Sequence, residues 1–506
     1  MIRDNTKMLQ SWIAGRYAKS GNGAVIGRTV NSAYDTVSNV YECASQELVS
    51  QAISKAQAAQ VEWQAKSPME RGRVLLETAR LLRQKTREIS LVESLNTSRA
   101  ISEVLITDVA SAAECFEYFG GSASVQQVGE THDFANGNFA YTRREPLGVT
   151  VGIGAFNYPL QSAAWKAAPA LAFGNAMVFK PAEDTPLSAL KLAETLKEAG
   201  LPDGLFSVML GPGQTVGNAL VLDHRVAKIS FTGSVQTGTH LASQAALEVK
   251  KVTLELGGKS PMIVFEDADL DQAVIGALLG NFYSNGQICS NGTKVFVHAK
   301  IHDEFVRRFV ERTNLLRIGD PLHVDTDLGP LIHQKHLDKV LGFVQRAEQE
   351  GATLMCGGKR ITNAKLFHDG NAKLLPGAFM TPAIFTNVQD QFEIAKKEVF
   401  GPVACVFKFS NEAEVIARAN DTEFGLAAGV FTKDLARAHR TIAQLQAGCC
   451  WINHFNLAPV ELPWGGFKQS GLGRENSTEA LHYWTQTKSV YVDVHGIADP
   501  YPKARM

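Results

Sequence analysis

The chain has 506 residues, 45% of them apolar and 20% charged, with a formal net charge of −1. That length exceeds one ordinary core and predicts two or three domains. The even charge balance argues against a nucleic-acid partner, which would call for a clustered basic surface. No apolar run reaches the roughly 20 residues of a membrane span, and the opening MIRDNTKMLQSW lacks the apolar core of a secretory signal. The seven cysteines (43, 115, 289, 356, 405, 449 and 450) are odd in number and form no CxxC pair. They read as reduced thiols in a cytoplasmic protein.

In chain order, Gln46 to Trp63 repeats apolar residues at helical spacing, with Leu48, Ala52, Ala56 and Ala59 on one stripe. Ser67-Pro68-Met69-Glu70 then supplies a capping serine, a first-turn proline and a reciprocating glutamate for a second helix. FAYTRR at 139–144 reads as extended. After it, short β-branched or apolar segments recur at 149–153, 176–180, 205–209, 228–231 and 252–255. Helix-compatible stretches separate them: Leu160–Phe173, Pro186–Ala199 and Thr237–Leu247. Strands alternating with helices predict an α/β fold with a doubly wound parallel sheet, which binds ligands at the carboxyl ends of its strands.

The residues at those ends are therefore the ones that matter. Ile153 closes the first strand and leads to Gly154-Ala155-Phe156-Asn157-Tyr158-Pro159; the second ends in Lys180 and Glu183. The third leads to Gly211, Gly213 and Gly217, the fourth to Phe231-Thr232-Gly233-Ser234, and the fifth to Glu255-Leu256-Gly257-Gly258. A carboxylate beside a lysine suits a nucleotide ribose and would repel a 2′-phosphate. Ser234 heading a helix offers a hydroxyl and backbone N–H groups to a pyrophosphate. The three glycines miss the G-x-G-x-x-G spacing by one residue.

A second α/β run has strand-like segments at 262–265, 294–298, 403–408, 426–431 and 449–453. Near its start lies NFYSNGQICSNGTK (281–294), where Cys289 sits among small and amide-bearing residues. A buried structural cysteine usually occupies an apolar run; a thiol on a polar, glycine-punctuated loop can meet a ligand and act as a nucleophile. His333 and His336 have no further ligands at zinc-like spacing, so no metal is expected and the pair reads as a solvated helix face. The tail Thr485–Val494 reads as an exposed strand able to pair with the 139–144 segment of another subunit.

The set FTGS (231–234), LELGGKSP (254–261), GQIC (286–289), EVFGPV (398–403) and PWGGFKQSGLGRE (463–475) strongly resembles the aldehyde dehydrogenase superfamily, in the family's order and over nearly the whole chain. YTRREPLG (141–148), the AFNYP segment (155–159) and NHFNLAPVELPWGG (453–466) are most similar to its betaine aldehyde and 4-trimethylaminobutyraldehyde branch. The resemblance implies a dinucleotide domain at 1–125 and 146–255, a catalytic domain at 256–470, and an oligomerisation arm at 126–145 and 481–506 that builds a homotetramer.

It also implies NAD as cofactor and a small aldehyde as substrate. Cys289 would attack the carbonyl, the Asn157 amide and the Cys289 N–H would hold the alkoxide, and Glu255 would activate water against the thioester. Lys166 and Glu475 match a proton relay, with a structural salt bridge as the alternative. Lys180 and Glu183 match the adenine-ribose contacts, Phe231, Gly233 and Ser234 the pyrophosphate turn, and Glu398 and Phe400 the nicotinamide-ribose contacts. Ile153, Phe156, Gly213, Gly217 and Leu256 complete the expected cofactor set.

Tyr158, Trp165, Tyr283 and Trp464 would line the aldehyde tunnel, with Cys450 (or Cys449) and Glu461 shaping it. Aromatic faces suit a quaternary ammonium, which has no N–H to donate. No arginine is evident in those segments, which counts against carboxylate-bearing semialdehydes. A broad-specificity enzyme for neutral aldehydes and a cysteine-dependent acyl hydrolase stay open as alternatives.

Overall fold

The structure, a computed structural model, describes residues 8–21, 24–126, 128–362 and 375–497. Residues 1–7, part of the opening without a secretory core, and 498–506 of the expected arm lie outside the described residues.

The first sheet contains the five expected parallel strands, Val149–Ile153, Ala176–Lys180, Phe206–Val208, Val226–Thr232 and Lys251–Glu255. Numbered in that order they lie 5-4-1-2-3 across the sheet. The chain therefore winds outward from Val149–Ile153 and later returns to its other side. This places a topological switch point between Ile153 and Phe231, which pair in register. Chain from both ends completes the sheet: the hairpin Ser11–Ile13 and Arg16–Ala18 extends one edge, and Gly471–Leu472 pairs antiparallel with Lys251–Glu255 at the other. The helix Pro68–Gln84 begins with the expected capping box, Ser67 accepting from the Glu70 N–H while Glu70 accepts from Ser67.

The second sheet has seven strands, ordered Thr353–Cys356, Ala383–Thr386, Val403–Phe409, Lys294–His298, Pro261–Val264, Ala427–Phe431 and Cys449–Ile452. All neighbours run parallel except the first pair. The first two of these strands were not foreseen. Side chains alternate between two cores: Ile263, Phe296 and Cys405 fill one face, while Met262, Val264 and Val295 fill the other. A sheet buried on both faces requires such continuous apolar runs. Among the described residues no helix is long and apolar enough to cross a membrane.

One expectation is corrected here. Thr485–Val492 pairs antiparallel with Phe139–Pro146 of its own chain, Gln486 opposite Glu145 and Tyr491 opposite Ala140. With Thr131–Asp133 they form a separate three-stranded sheet. Phe139–Pro146 is paired on both sides and so is not open to a second subunit's Thr485–Val492, which pairs along one edge only among the described residues.

Candidate active site

The carboxyl ends of the first sheet face the start of the second across a cavity of about 380 Å3. Its lining includes Cys289, Asn157, Glu255, Lys166 and Glu475, together with Tyr158, Trp165, Tyr283 and Trp464.

Cys289 is half-buried in the loop after a left-handed turn, where Ser284 and Asn285 have φ of 54° and 56°. Non-glycine residues hold such angles only when their surroundings fix them. Here Asn285 donates to the Pro330 carbonyl at 2.9 Å and accepts from the Gly329 N–H at 2.9 Å. Gly258 lets the loop approach, since a Cβ there would stand 2.4 Å from the Cys289 carbonyl oxygen. Burial pushes the thiol well above its ordinary range, and the Glu398 and Glu255 carboxyls push it further. Asn157 donates one amide N–H to the Gln287 carbonyl at 2.8 Å, two residues before the thiol, which leaves its second N–H for a ligand.

Glu255 is buried and neither of its oxygens has a hydrogen-bond partner. Desolvation raises its pKa well above the usual carboxylate range, and Glu475 adds to the rise against the cations Lys166 and Arg474. Lys166 and Glu475 form a buried ion pair at 2.7 Å, and the Ser230 hydroxyl donates to the same Glu475 oxygen at 2.8 Å. A thiol, an amide donor and an unsolvated carboxyl on one cavity can form an acyl-thiol adduct and hydrolyse it.

The expected cofactor residues of the first domain lie at or after the carboxyl ends of its strands, and Glu398 and Phe400 meet Gly258 and Phe156 there from the second. The exposed Glu183 accepts the Gly213 N–H at 2.9 Å, and the buried Lys180, lowered to about 8 by desolvation, donates to the Pro181 carbonyl. Gly217 lies over the Lys180 stem. Ser234 accepts from the Thr237 N–H and caps Val235–Ala246. A Cβ at Gly233 would meet the Phe231 ring at 2.5 Å, and one at Gly238 would meet the Leu256 side chain at 2.4 Å. Glu398 accepts the Gly258 N–H at 3.1 Å and is raised to about 7 by burial. The Phe400 ring packs edge-on against Phe156, and its carbonyl accepts from His336. An exposed carboxylate, a cation and a bare helix N-terminus fit a dinucleotide's ribose and pyrophosphate.

Trp165 and Trp464 meet edge to face at 5.8 Å. Two residues expected in the tunnel lie elsewhere. Cys450 packs into the core behind the second sheet, and its neighbour Cys449 faces the cluster of Cys289 and Trp464, because successive strand residues point to opposite faces. Glu461 is exposed and lies outside the cavity lining. His336 is buried, not solvated, while His333 caps its helix by accepting from the His336 N–H. Among the described residues no cluster of metal-ligating side chains occurs.

One wall of the cavity lies outside the expected site residues. Thr107, Ser111 and Glu114 on the helix Ile101–Gln126 line the cavity. Their spacing of four and three residues is a polar stripe on one helix face, a signal that was available.

A parallel-sheet nucleotide fold joined at its strand ends to a thiol-bearing loop defines a class of covalent oxidoreductases, and the comparisons agree. Residues 20–490 match the Aldehyde dehydrogenase family. The chain is 54% identical over 490 residues to betaine aldehyde dehydrogenase of Mesorhizobium japonicum, covering 97% of this chain and 98% of that one. It is similar to the crystal structure of NAD-dependent aldehyde dehydrogenase from Sinorhizobium meliloti, with a TM-score of 0.93 and 34% identity over 98% and 97% of the two chains. It is also similar to betaine aldehyde dehydrogenase from Staphylococcus aureus in complex with NAD+, with a TM-score of 0.92 and 34% identity over 97% and 96%. The chain belongs to the aldehyde dehydrogenase family.

Proposed function

We propose that this protein oxidises an aldehyde bearing a quaternary or protonated ammonium, of the betaine aldehyde type, to the carboxylic acid, with NAD as cofactor. The observation that carries the reading is that Cys289, Asn157 and Glu255 share one cavity with four aromatic side chains. The relatives named for betaine aldehyde and the NAD complexes support substrate and cofactor.

Cys289 Sγ attacks the carbonyl carbon, and the free Asn157 N–H with the Cys289 backbone N–H stabilises the alkoxide of the thiohemiacetal. NAD, when bound by Lys180, Glu183, Ser234 and Glu398, supplies the hydride acceptor. Glu255 takes a proton from the water that attacks the resulting thioester. The Lys166–Glu475 pair, which makes no hydrogen bond to Glu255, takes that proton onward through an intervening water. Each aromatic face contributes roughly 0.5–2 kcal/mol to a cation, and Glu114 adds a carboxylate to the lining. The described lining residues include no arginine, which disfavours carboxylate-bearing aldehydes.

The two large sheets support the expected division into dinucleotide and catalytic domains. Exposed Phe134, Tyr491 and Ile497 on or beside the three-stranded arm support a homotetramer, and the seven free cysteines a cytoplasmic setting.

The test is NADH formation with betaine aldehyde, 4-trimethylaminobutyraldehyde, 4-aminobutyraldehyde and the neutral isostere 3,3-dimethylbutanal. A preference for cationic aldehydes of about tenfold in kcat/KM, about 1.4 kcal/mol, is expected. Equal rates would refute the cationic reading, and NADH production by Cys289→Ala would refute the nucleophile. A monomer by light scattering would refute the tetramer.

A further inference from the structure

Behind the cavity wall lies a buried charge cluster with no evident part in the chemistry. Arg99, with its side chain 1% exposed, donates through Nη1 and Nη2 to the two oxygens of Asp108 at 2.6 and 2.9 Å, and through Nε to Glu103 at 2.9 Å. Taking such charges from water costs several kcal/mol per ion, and a well-packed apolar replacement is often as stable. Stability is therefore a poor account of the cluster.

Its remaining contacts converge on the site. Arg99 Nη1 also donates to the Asn157 carbonyl at 3.3 Å, and the guanidinium carbon lies 3.9 Å from the centre of the Tyr158 ring. Glu103 accepts the Ser284 N–H at 3.0 Å and also the Ser284 hydroxyl, which shares a 2.5 Å hydrogen bond with the Tyr158 hydroxyl. The left-handed Ser284, whose conformation has to be held from outside, is thus held by this cluster.

We infer that Arg99 is a positioning residue: braced by Glu103 and Asp108, it fixes both the Asn157 amide facing the nucleophile loop and the Tyr158 ring facing the substrate. The Asn157 half concerns oxyanion stabilisation, and the Tyr158 half rests on the cationic substrate proposed above. A planar fork can reach two carboxylates and a carbonyl at once, which an ammonium on a flexible stem cannot. Two carboxylates against one guanidinium also leave no excess positive charge behind the ring, so a cation on its cavity face is not repelled.

The test is Arg99→Lys, with Ser284→Ala as the gentler cut of the Glu103–Ser284–Tyr158 link. Three quantities are read: NADH dissociation by fluorescence, the pre-steady-state NADH burst rate, and the kcat/KM ratio of betaine aldehyde to 3,3-dimethylbutanal. Arg99→Lys should bind NADH as the parent does, slow the burst by about tenfold or more, and lower the ratio by about fivefold. Ser284→Ala keeps the backbone N–H bond to Glu103 and loses the hydroxyl link to Tyr158, so the ratio should fall by a larger factor than the burst rate does. A folded Arg99→Lys with burst and ratio both within about twofold of the parent would show that Arg99 is only structural. Were Arg99→Lys not to fold, a parental ratio in Ser284→Ala would overturn the proposal. A parent with no cationic preference refutes the substrate reading, and the burst rate then decides the role of Arg99 by itself.

Discussion

Lys166 and Glu475 form an ion pair of 2.7 Å, each side chain 1% exposed, and both act through space on a Glu255 that neither of them hydrogen-bonds. Glu475 raises the Glu255 pKa and Lys166 lowers it. As the proposed base, Glu255 has to be ionised, so thioester hydrolysis is present above its pKa and lost as pH falls through it. Glu475→Gln removes the repulsion and leaves the Lys166 cation unopposed, which should move that loss to lower pH. Lys166→Met should move it to higher pH. The pH dependence of single-turnover thioester hydrolysis checks both signs, and shifts in the same direction would dispose of the electrostatic account.

Glu255→Gln keeps the side chain's shape and removes the base. One equivalent of NADH per site should appear at near the parental rate, after which turnover should stall by about 10²–10⁴-fold, the usual worth of a positioned base. Burst amplitude and steady-state slope come from one stopped-flow trace. A parental slope would move the base role to another group, the Lys166–Glu475 pair being the next candidate.

Much of this arrangement is legible in the sequence because buried parallel strands must be short apolar runs and their ends must carry the chemistry. All five parallel strands of the first sheet and the turns after them follow from that rule. The edge strand Thr353–Cys356 has alternating exposure and pairs antiparallel, so it carries no comparable apolar run. The pairing of Thr485–Val492 with Phe139–Pro146 joins segments far apart in sequence, and nothing local distinguishes a strand's own chain from a copy. Cys449 and Cys450 differ only in which face of the strand each takes, a phase the letters CC do not contain. Nothing in the local sequence marks Arg99; only the fold brings Glu103 and Asp108, four and nine residues on, around its guanidinium.

Glu183 accepts the Gly213 N–H at 2.9 Å beside the buried Lys180. If it holds the ribose hydroxyls, Glu183→Gln loses charge-assisted hydrogen bonds worth roughly 1.5–3 kcal/mol, a loss of about tenfold or more in NADH affinity. The repulsion of a 2′-phosphate falls at the same time, so NADPH should bind better relative to NADH. Fluorescence titration with both nucleotides gives the ratio directly. An unchanged ratio would place the ribose elsewhere.

Gly258 lies between the last strand of the first sheet, Lys251–Glu255, and Pro261–Val264 of the second, against the nucleophile loop. A Cβ there would lie 2.4 Å from the Cys289 carbonyl oxygen, and backbone cannot yield as a flexible side chain can. The Gly258 N–H also donates to Glu398 at 3.1 Å, so a displaced loop disturbs nucleophile and cofactor contact together. Gly258→Ala should therefore fold around its unchanged cores yet lose about 10²-fold in burst rate, the scale of a 1 Å misplacement of a reacting group. Alkylation of Cys289 by iodoacetamide should persist, because the thiol stays accessible while its alignment is lost. A parental burst rate in Gly258→Ala would mean that the loop finds its reactive position without this contact.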